Sequence, residues 1–456
     1  MREDLGRVSP PTVSKPLPAH QHPLIGRLLG EHHRRLNELV QGLGSPLHVV
    51  LPQVFDENLA RMQRVLDTHH LQSTILFAKK ANKADCFARA AAERHSGIDV
   101  ASSGELSKAL SAGVRGDRIG LSGPDKPERL LKEALLHGCL ISVDSVNELQ
   151  RLTLIAANLN QRARTLLRWR PESEAKSRFG HSEEELNQSV LLCLANPSTI
   201  ELQGFSFHLS GYGLAERATC TSRAIDLCLQ ARALGLVTCN RVDIGGGLPV
   251  QYVSAQHWNR FLQHDHRTHY HANKSFSGFY PYGSEIAGAN ALEALLQAPT
   301  QQGSLAHKLR HNGIHLIIEP GRALLDQAGL TLFNILGSKQ RSDYSIITVE
   351  GSSLSLSEQW FNSEYLPDPV LLGEPCGSAF NACVGGSTCL DSDMVSWRKV
   401  PFSRPVLPGE KLVYINTAGY QMDSNESAFH DAAIPRKVVI ELDPHDHSMH
   451  WRLDDI

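Results

Sequence analysis

Two lysines close the apolar run that ends in Phe77-Ala78-Lys79-Lys80-Ala81-Asn82. A lysine amine at a strand end, facing a pocket, can form a Schiff base with an aldehyde cofactor when its site is desolvated or electrostatically tuned. Gly245-Gly246-Gly247 follows the strand-like Arg241-Val242-Asp243-Ile244. Three glycines there let backbone N–H groups approach a phosphate closely. Glu319-Pro320-Gly321-Arg322 offers a carboxylate for a protonated ring nitrogen and a guanidinium for phosphate. His208 ends a further apolar run, Gly204-Phe205-Ser206-Phe207. Each feature alone has an ordinary structural reading: a basic strand edge, a flexible turn, a surface ion pair, a packed histidine. On one rim, an amine, a phosphate cradle and a carboxylate for a ring nitrogen describe a pyridoxal phosphate site.

The elements that would place these groups on one rim are legible as a rhythm. From about Pro46 to Leu330 short apolar strands alternate with helices. Strands are expected at Leu47–Leu51, Thr74–Ala78, Asp99-Val100, Arg118–Leu121, Leu140–Val143, Thr165–Trp169, Leu202–His208, Arg241–Ile244 and Leu316–Glu319. Eight or nine βα units imply a parallel (β/α)₈ barrel whose strand carboxyl ends carry the site. After about Thr331 short β-rich runs separated by Gly, Pro and Asn read as an antiparallel β domain. The expected organisation is an amino-terminal arm with part of the β domain over 1–45, a barrel over 46–330, and the β domain over 331–456. Residues up to Pro23 read as a flexible polar arm. Tyr252 to Ala287 interrupts the barrel with His257, His264, His266, His269 and His271. Their spacing matches no standard metal-ligand pattern, so a polar lid or surface excursion is expected, and no metal.

At 456 residues the chain exceeds one ordinary domain. Its 41% hydrophobic and 20% charged residues are those of a globular protein, and a net charge of -3 gives no footprint for nucleic acid or an anionic membrane. Nine scattered cysteines without a C-x-x-C pair, and no apolar signal core, lead to an expectation of reduced thiols and a cytoplasmic location.

Taken in order, these motifs resemble the fold-type III pyridoxal phosphate (PLP)-dependent decarboxylases, the ornithine/diaminopimelate/arginine decarboxylase group, over roughly 45–440. Phe77–Asn82 resembles Tyr-Ala-x-Lys-Ala-Asn, which gives Lys80 the Schiff-base role. Asp99–Leu106 resembles Asp-x-Ala-Ser-x-x-Glu. Arg168-Trp169-Arg170-Pro171 and Arg178-Phe179-Gly180 match Arg-x-Asn-Pro and Lys-Phe-Gly with substitutions. Phe207–Gly211 resembles His-Val-Gly-Ser with serine and glycine exchanged. The resemblance implies the alanine racemase-like fold and a cofactor held by Lys80, Asp99, Arg168, His208, Ser210, Gly246, Gly247, Glu319, Gly321, Arg322 and Tyr420. Gly386–Asp393 resembles Gly-Pro-x-Cys-Asp/Glu-x-x-Asp. It implies that Cys389 serves the neighbouring subunit's site as general acid, in an obligate homodimer. Leu390 departs from the pattern, because the family carries there the acid that meets the substrate's distal group. Leu390, Glu350 and Trp360 are the positions expected at the substrate. The expected activity is decarboxylation of an amino acid or amino-acid conjugate other than ornithine, lysine or diaminopimelate. An amino-acid racemase of the same fold and a non-catalytic regulatory relative are the alternatives. Glu319 speaks against the racemase, which places arginine at the ring nitrogen.

Overall fold

In the computed structural model, the described residues are 14–356, 358, 362–373, 377–423 and 427–454. The chain forms two compact units. One comprises Phe55–Pro249 and Ile286–Leu325. The other comprises Met1–Val54, Val250–Glu285 and Asp326–Asp455.

The first unit is a closed barrel of eight parallel strands. They are Ser73–Ala78, Gly97–Val100, Ile119–Leu121, Leu140–Val143, Ala163–Arg168, Ile200–Ser206, Arg241–Asp243 and His315–Ile318. Several are buried along their whole length and mostly apolar, as a strand covered on both faces requires. Leu76, Leu140, Leu166 and Ile317 fill the barrel interior as one cluster. Leu76 fits only because its neighbours are glycines. A Cβ on Gly97 or Gly120 would lie 2.3 Å or 2.7 Å from its methyl carbons. Serines start the helices that leave the strand ends. Ser102, Ser145 and Ser182 each accept the backbone N–H of a glutamate three residues on, at 3.2, 3.2 and 3.3 Å.

Eight of the nine expected strands close the barrel, and the ninth belongs elsewhere. Leu47–Val50 lies in the sheet of the second unit, antiparallel to Gly329–Gln340 and parallel to Arg436–Leu442. The barrel therefore begins not at 46 but with the helix Pro52–Thr68 that leads into Ser73–Ala78. The second unit's nine-stranded sheet runs, in spatial order, Met394–Phe402, Phe380–Gly385, Ser345–Glu350, Gly329–Gln340, Leu47–Val50, Arg436–Leu442 and Met449–Leu453. Lys411–Ile415 pairs with both Gly329–Gln340 and Val370–Leu371. Most pairs are antiparallel.

Two further expectations are corrected here. The excursion 250–285 is not a polar lid but a packed part of the second unit. Tyr252, Tyr270, Tyr282, Trp258 and Phe261 are buried, and their rings contact one another or Tyr365 and Phe279. Its histidines are engaged locally: His257 Nδ1 with Ser254 Oγ at 2.7 Å, His264 with the Arg260 carbonyl at 2.8 Å, His271 with Tyr344 at 2.7 Å. Nor is the amino-terminal segment free from residue 14 onward. Leu17 N–H donates to Asp368 at 2.7 Å, His20 N–H donates to the Tyr252 carbonyl at 2.7 Å, and the fully buried Arg398 pairs with Asp368 and reaches Ser14.

Candidate active site at the carboxyl ends of the barrel strands

Backbone hydrogen bonds tie four motifs into one rim. Ala78 N–H donates to the Pro320 carbonyl at 3.3 Å, and Glu319 N–H donates to the Gly245 carbonyl at 2.9 Å. Phe207 N–H donates to the Asp243 carbonyl at 3.0 Å. The strand that leads into Lys80, the Glu319 turn, the triple glycine and the His208 segment are thus consecutive pieces of one wall.

The two lysines have separate environments. Lys79 is 1% exposed, and its Nζ donates to the carbonyls of Lys83, Ala84 and Asn82 at 2.7, 3.1 and 3.4 Å. Lys80 keeps 47% of its side chain exposed, and its Nζ lies 3.3 Å from Asp99 Oδ2. Of the two, Lys80 is therefore the amine turned to the mouth.

Behind it sit carboxyls that sequence reasoning singled out only in part. Asp99 and Asp243 are buried, and Glu319 is hydrogen-bonded to Asp243. Desolvation, and then the negative charges of Asp243 and Asp99, hold Glu319 well above the usual carboxylate range. Desolvation pushes Asp243 up to about 7, against the Gly245 N–H that its Oδ1 accepts at 2.9 Å. Asp243 was missed as a site residue. Its signal was an acid at the end of a buried barrel strand, two residues before the glycines.

The glycine loop is tight on all sides. Gly245 and Gly247 have φ of 66° and 81°, a conformation that side chains rarely adopt. A Cβ on Gly246 would lie 2.7 Å from the Glu319 carbonyl oxygen, and one on Gly245 would lie 2.5 Å from His208 Nδ1. His208 is exposed, with its Nδ1 edge turned against Gly245. Desolvation, then the charges of Lys80, Arg168 and Arg217, push its pKa down to about 3.

Arg217 is the second residue that sequence reasoning missed. It is fully buried on the helix Leu214–Ala233. Its guanidinium donates to the carbonyls of Ile244 at 2.8 Å, Gly211 at 3.1 Å and Gly247 at 3.5 Å. By engaging carbonyls on both sides of the glycine run it fixes the loop's orientation. An arginine on the same face as Thr221, Ala224 and Cys228 was the sequence signal.

Arg168 Nη1 lies 3.2 Å from Asp144 Oδ1, and its guanidinium stacks 4.5 Å from the centre of the Phe179 ring. Arg322 is buried next to Gly321. Ser210 is engaged by an acid: its N–H and Oγ donate to Glu174 at 2.6 and 2.8 Å. A carboxylate thus occupies the hydrogen-bonding position that the resemblance assigns to phosphate.

The remaining expected residues lie in the second unit. The loop Gly386–Asp393 is wound around the Asp393 carboxylate, which accepts the N–H of Ser353 at 2.6 Å and the hydroxyl of Thr388 at 2.7 Å. A Cβ on Gly386 would meet the same carboxylate at 2.1 Å. This turn presents Cys389 and Leu390 at the surface; Leu390 is 51% exposed. Among the described cysteines Cys389 alone is exposed. Its Sγ is 3.3 Å from His430 Nε2. Glu350 Oε2 accepts from Asn334 at 3.0 Å. Tyr420 has a φ of 76°, a strained conformation for a bulky residue. Trp360 lies outside the described residues.

An eight-stranded parallel barrel with a rim amine, buried carboxyls and a glycine cradle, joined in one chain to a mainly antiparallel sheet, defines an alanine racemase-like architecture. A family model described as "Pyridoxal-dependent decarboxylase, pyridoxal binding domain" matches residues 54–326, and the chain belongs to that fold-type III family. A relative, the uncharacterized protein y4yA of Sinorhizobium fredii, is 39% identical over 404 residues, covering 87% of this chain and 88% of its own. The diaminopimelate decarboxylase of Zymomonas mobilis is 22% identical over 420 residues, covering 89% and 90%. Among solved structures, AQ1208 from Aquifex aeolicus superposes with a TM-score of 0.73 at 22% identity, covering 92% of this chain and 90% of that one. The diaminopimelate decarboxylase from Helicobacter pylori complexed with L-lysine gives 0.73 at 20%, covering 92% and 95%. These two establish the shared fold. Among the described residues, no helix is long and apolar enough to cross a membrane.

Proposed function

We propose that the protein is a pyridoxal 5'-phosphate-dependent decarboxylase of an amino acid or amino-acid conjugate other than ornithine, lysine or diaminopimelate, working as a homodimer with shared sites. The observation that carries the reading is the Lys80–Asp99 pair at 3.3 Å, set beside the buried Asp243 and the Glu319 carboxyl hydrogen-bonded to it. That donor set fits the cofactor. Asp99 Oδ1 is buried with no hydrogen-bond partner among the described residues. Desolvation and the charges of Asp243 and Asp99 raise the Glu319 pKa, and the positive charge of a protonated ring nitrogen would offset them. The glycine loop is too tight for any side chain. Lys80 would hold the cofactor covalently, and Gly246, Gly247, Gly321, Arg322 and Tyr420 its phosphate. Glu319 would meet the ring nitrogen, and His208 the ring face. Ser210 could join the phosphate set only after releasing Glu174.

When bound, this cofactor supplies an electron sink for the electrons left behind as CO₂ departs. The chain's residues do the rest. Asp99 orients the Lys80 amine and balances its charge. Arg217 and Asp243 keep the glycine loop in register with the Glu319 turn. Cys389 Sγ is assigned as the proton donor to the α-carbon in the neighbouring subunit's site, with His430 within reach of the thiol.

Leu390 limits the substrate. A leucine beside Cys389 offers no carboxylate to a distal ammonium, and a charge left unpaired on desolvation is costly. The test is CO₂ release by the PLP-loaded protein across ornithine, lysine, diaminopimelate and a panel of bulkier amino acids and N-acylated or peptide-linked conjugates. Turnover within the panel but not of the three diamines is expected. Efficient turnover of any of the three overturns the restriction, and absence of CO₂ release with racemised substrate overturns the decarboxylase.

A further inference from the structure

The opposite end of the barrel holds a second basin, formed from the starts of the strands rather than their ends. Thr74, Arg164, Arg241 and His315 lie at or near the first residues of four barrel strands. With Arg64 from the helix Pro52–Thr68, and Arg94 and Arg118 from loops or short turns, they line a cavity of about 840 Å³. Five of the lining residues are arginines, and Asp117 is the single acid among them.

The acids in the neighbourhood are already committed. Asp117 pairs with Arg115 at 2.9 Å, Asp56 with Arg94 at 3.3 Å, and Glu201 with Arg162 at 3.7 Å. Arg64, Arg118, Arg164 and Arg241 form no ion pair among the described residues. Arg164 has a structural duty, since its Nη1 donates to the carbonyls of Gly138 at 2.8 Å and Asp117 at 3.3 Å. That duty fixes its charge beside Arg241. Burial, and then the charge of Arg164, lowers the Arg241 pKa, partly offset by Glu201. His315 is tied to Thr74 Oγ1 at 2.8 Å. Burial and then Arg241 push its pKa down to about 4, so it stays neutral near pH 7 and adds no further charge.

The stability of a barrel's lower face accounts for a packed arginine capping carbonyls. It does not account for four guanidiniums gathered around a void whose single lining carboxylate, Asp117, is paired with Arg115, an arrangement that their mutual repulsion opposes. The missing component is negative charge. Leu59, Ala60 and Ile75 give the cavity an apolar wall beside the charged one. Guanidiniums in a fork favour planar or tetrahedral oxyanions over a lone halide.

We propose that this basin binds a small organic molecule bearing a multiply charged oxyanion, a phosphate ester or a polycarboxylate, at the end of the barrel opposite Lys80. The site does not depend on the reaction assigned above. Isothermal titration calorimetry of the full-length protein with pyrophosphate and with citrate, at constant ionic strength, tests it. Saturable binding of one ligand per chain is expected; preference for pyrophosphate assigns phosphate chemistry, and preference for citrate assigns carboxylate chemistry. Arg118→Glu and Arg64→Glu alter exposed side chains, so folded variants are expected, checked by circular dichroism. Each should weaken binding at least about tenfold, while Arg129→Glu, on another surface helix, should change it less than about twofold. Binding of neither probe overturns the proposal. So does binding that ignores Arg118→Glu and Arg64→Glu, which would assign it to the Lys80 end, or equal weakening by Arg129→Glu, which would reduce it to net charge.

Discussion

Lys79 and Lys80 are adjacent, yet one is built into the wall and the other opens to the mouth. Three carbonyl acceptors occupy the Lys79 ammonium, so Lys79→Met should lower stability by about 1–3 kcal/mol while leaving cofactor binding in place. Lys80→Ala should instead abolish the visible absorbance of the PLP-loaded protein with little change in melting temperature; a persisting band would refute the assignment of Lys80. A second residue-scale prediction concerns Asp243. Its folded pKa, about 7, lies above the unfolded value, so the stability it contributes is complete below about pH 4 and lost as pH rises toward 7. His208 and His315, lowered to about 3 and 4, act in the opposite sense, losing their contribution as pH falls below about 6.5. The informative quantity is therefore the melting-temperature difference between cofactor-free wild type and Asp243→Asn, which removes the aspartate alone. The wild type's relative standing should worsen between pH 5 and pH 7.5; a pH-independent difference would show that Asp243 titrates normally. Gly246→Ala forces a Cβ to 2.7 Å from the Glu319 carbonyl, and should weaken PLP binding about tenfold or more in a folded protein, read by absorbance titration.

At the scale of elements, the barrel was legible because its strands are short apolar runs punctuated by glycine, serine and capping residues at regular intervals. Leu47–Val50 was not, since Leu-His-Val-Val is equally at home in a barrel or a mixed sheet. Its partners, Gly329–Gln340 and Arg436–Leu442, are far away in sequence, and no local pattern reports such pairing. The excursion was misread for a related reason: the histidines drew attention to polarity, while Tyr252, Trp258, Phe261 and Tyr282 decided the packing. Lys80, Glu319 and the glycines were legible from residue type at strand ends. Asp243 and Arg217 were not, because a charged residue inside an apolar stripe is recognised as deliberate only when its partners are seen. The loop Gly386–Asp393 shows the reverse case, a motif whose spacing has a visible cause. Asp393 gathers Ser353 and Thr388, so Asp393→Ala should unwind the presentation of Cys389. The expected outcome is a fall in turnover of about tenfold or more with PLP absorbance retained; unchanged turnover would separate the loop from the reaction.

For the molecule as a whole, the proposed sharing of Cys389 between subunits is open to complementation. Lys80→Ala and Cys389→Ala chains, each inactive alone, should regain roughly one quarter of wild-type activity when mixed and reassembled, because a hybrid dimer keeps one intact site. No recovery in demonstrated hybrids would place Cys389 in its own subunit's site or outside the reaction. The two units also differ in how their strands are distributed along the chain. All eight barrel strands fall between Ser73 and Ile318. The sheet instead joins Leu47 to Arg436 directly, as register partners. At about 5–20 residues per second, a ribosome delivers Arg436 roughly 20–80 s after Leu47. The barrel strands are complete once Ile318 has emerged, while an early apolar strand still waits for a late one. The vulnerable period in this protein's biosynthesis is thus the wait between Ile318 and Arg436, and a premature stop between Gln340 and Arg436 would release a chain whose barrel is whole and whose Leu47–Val50 edge has lost its parallel neighbour.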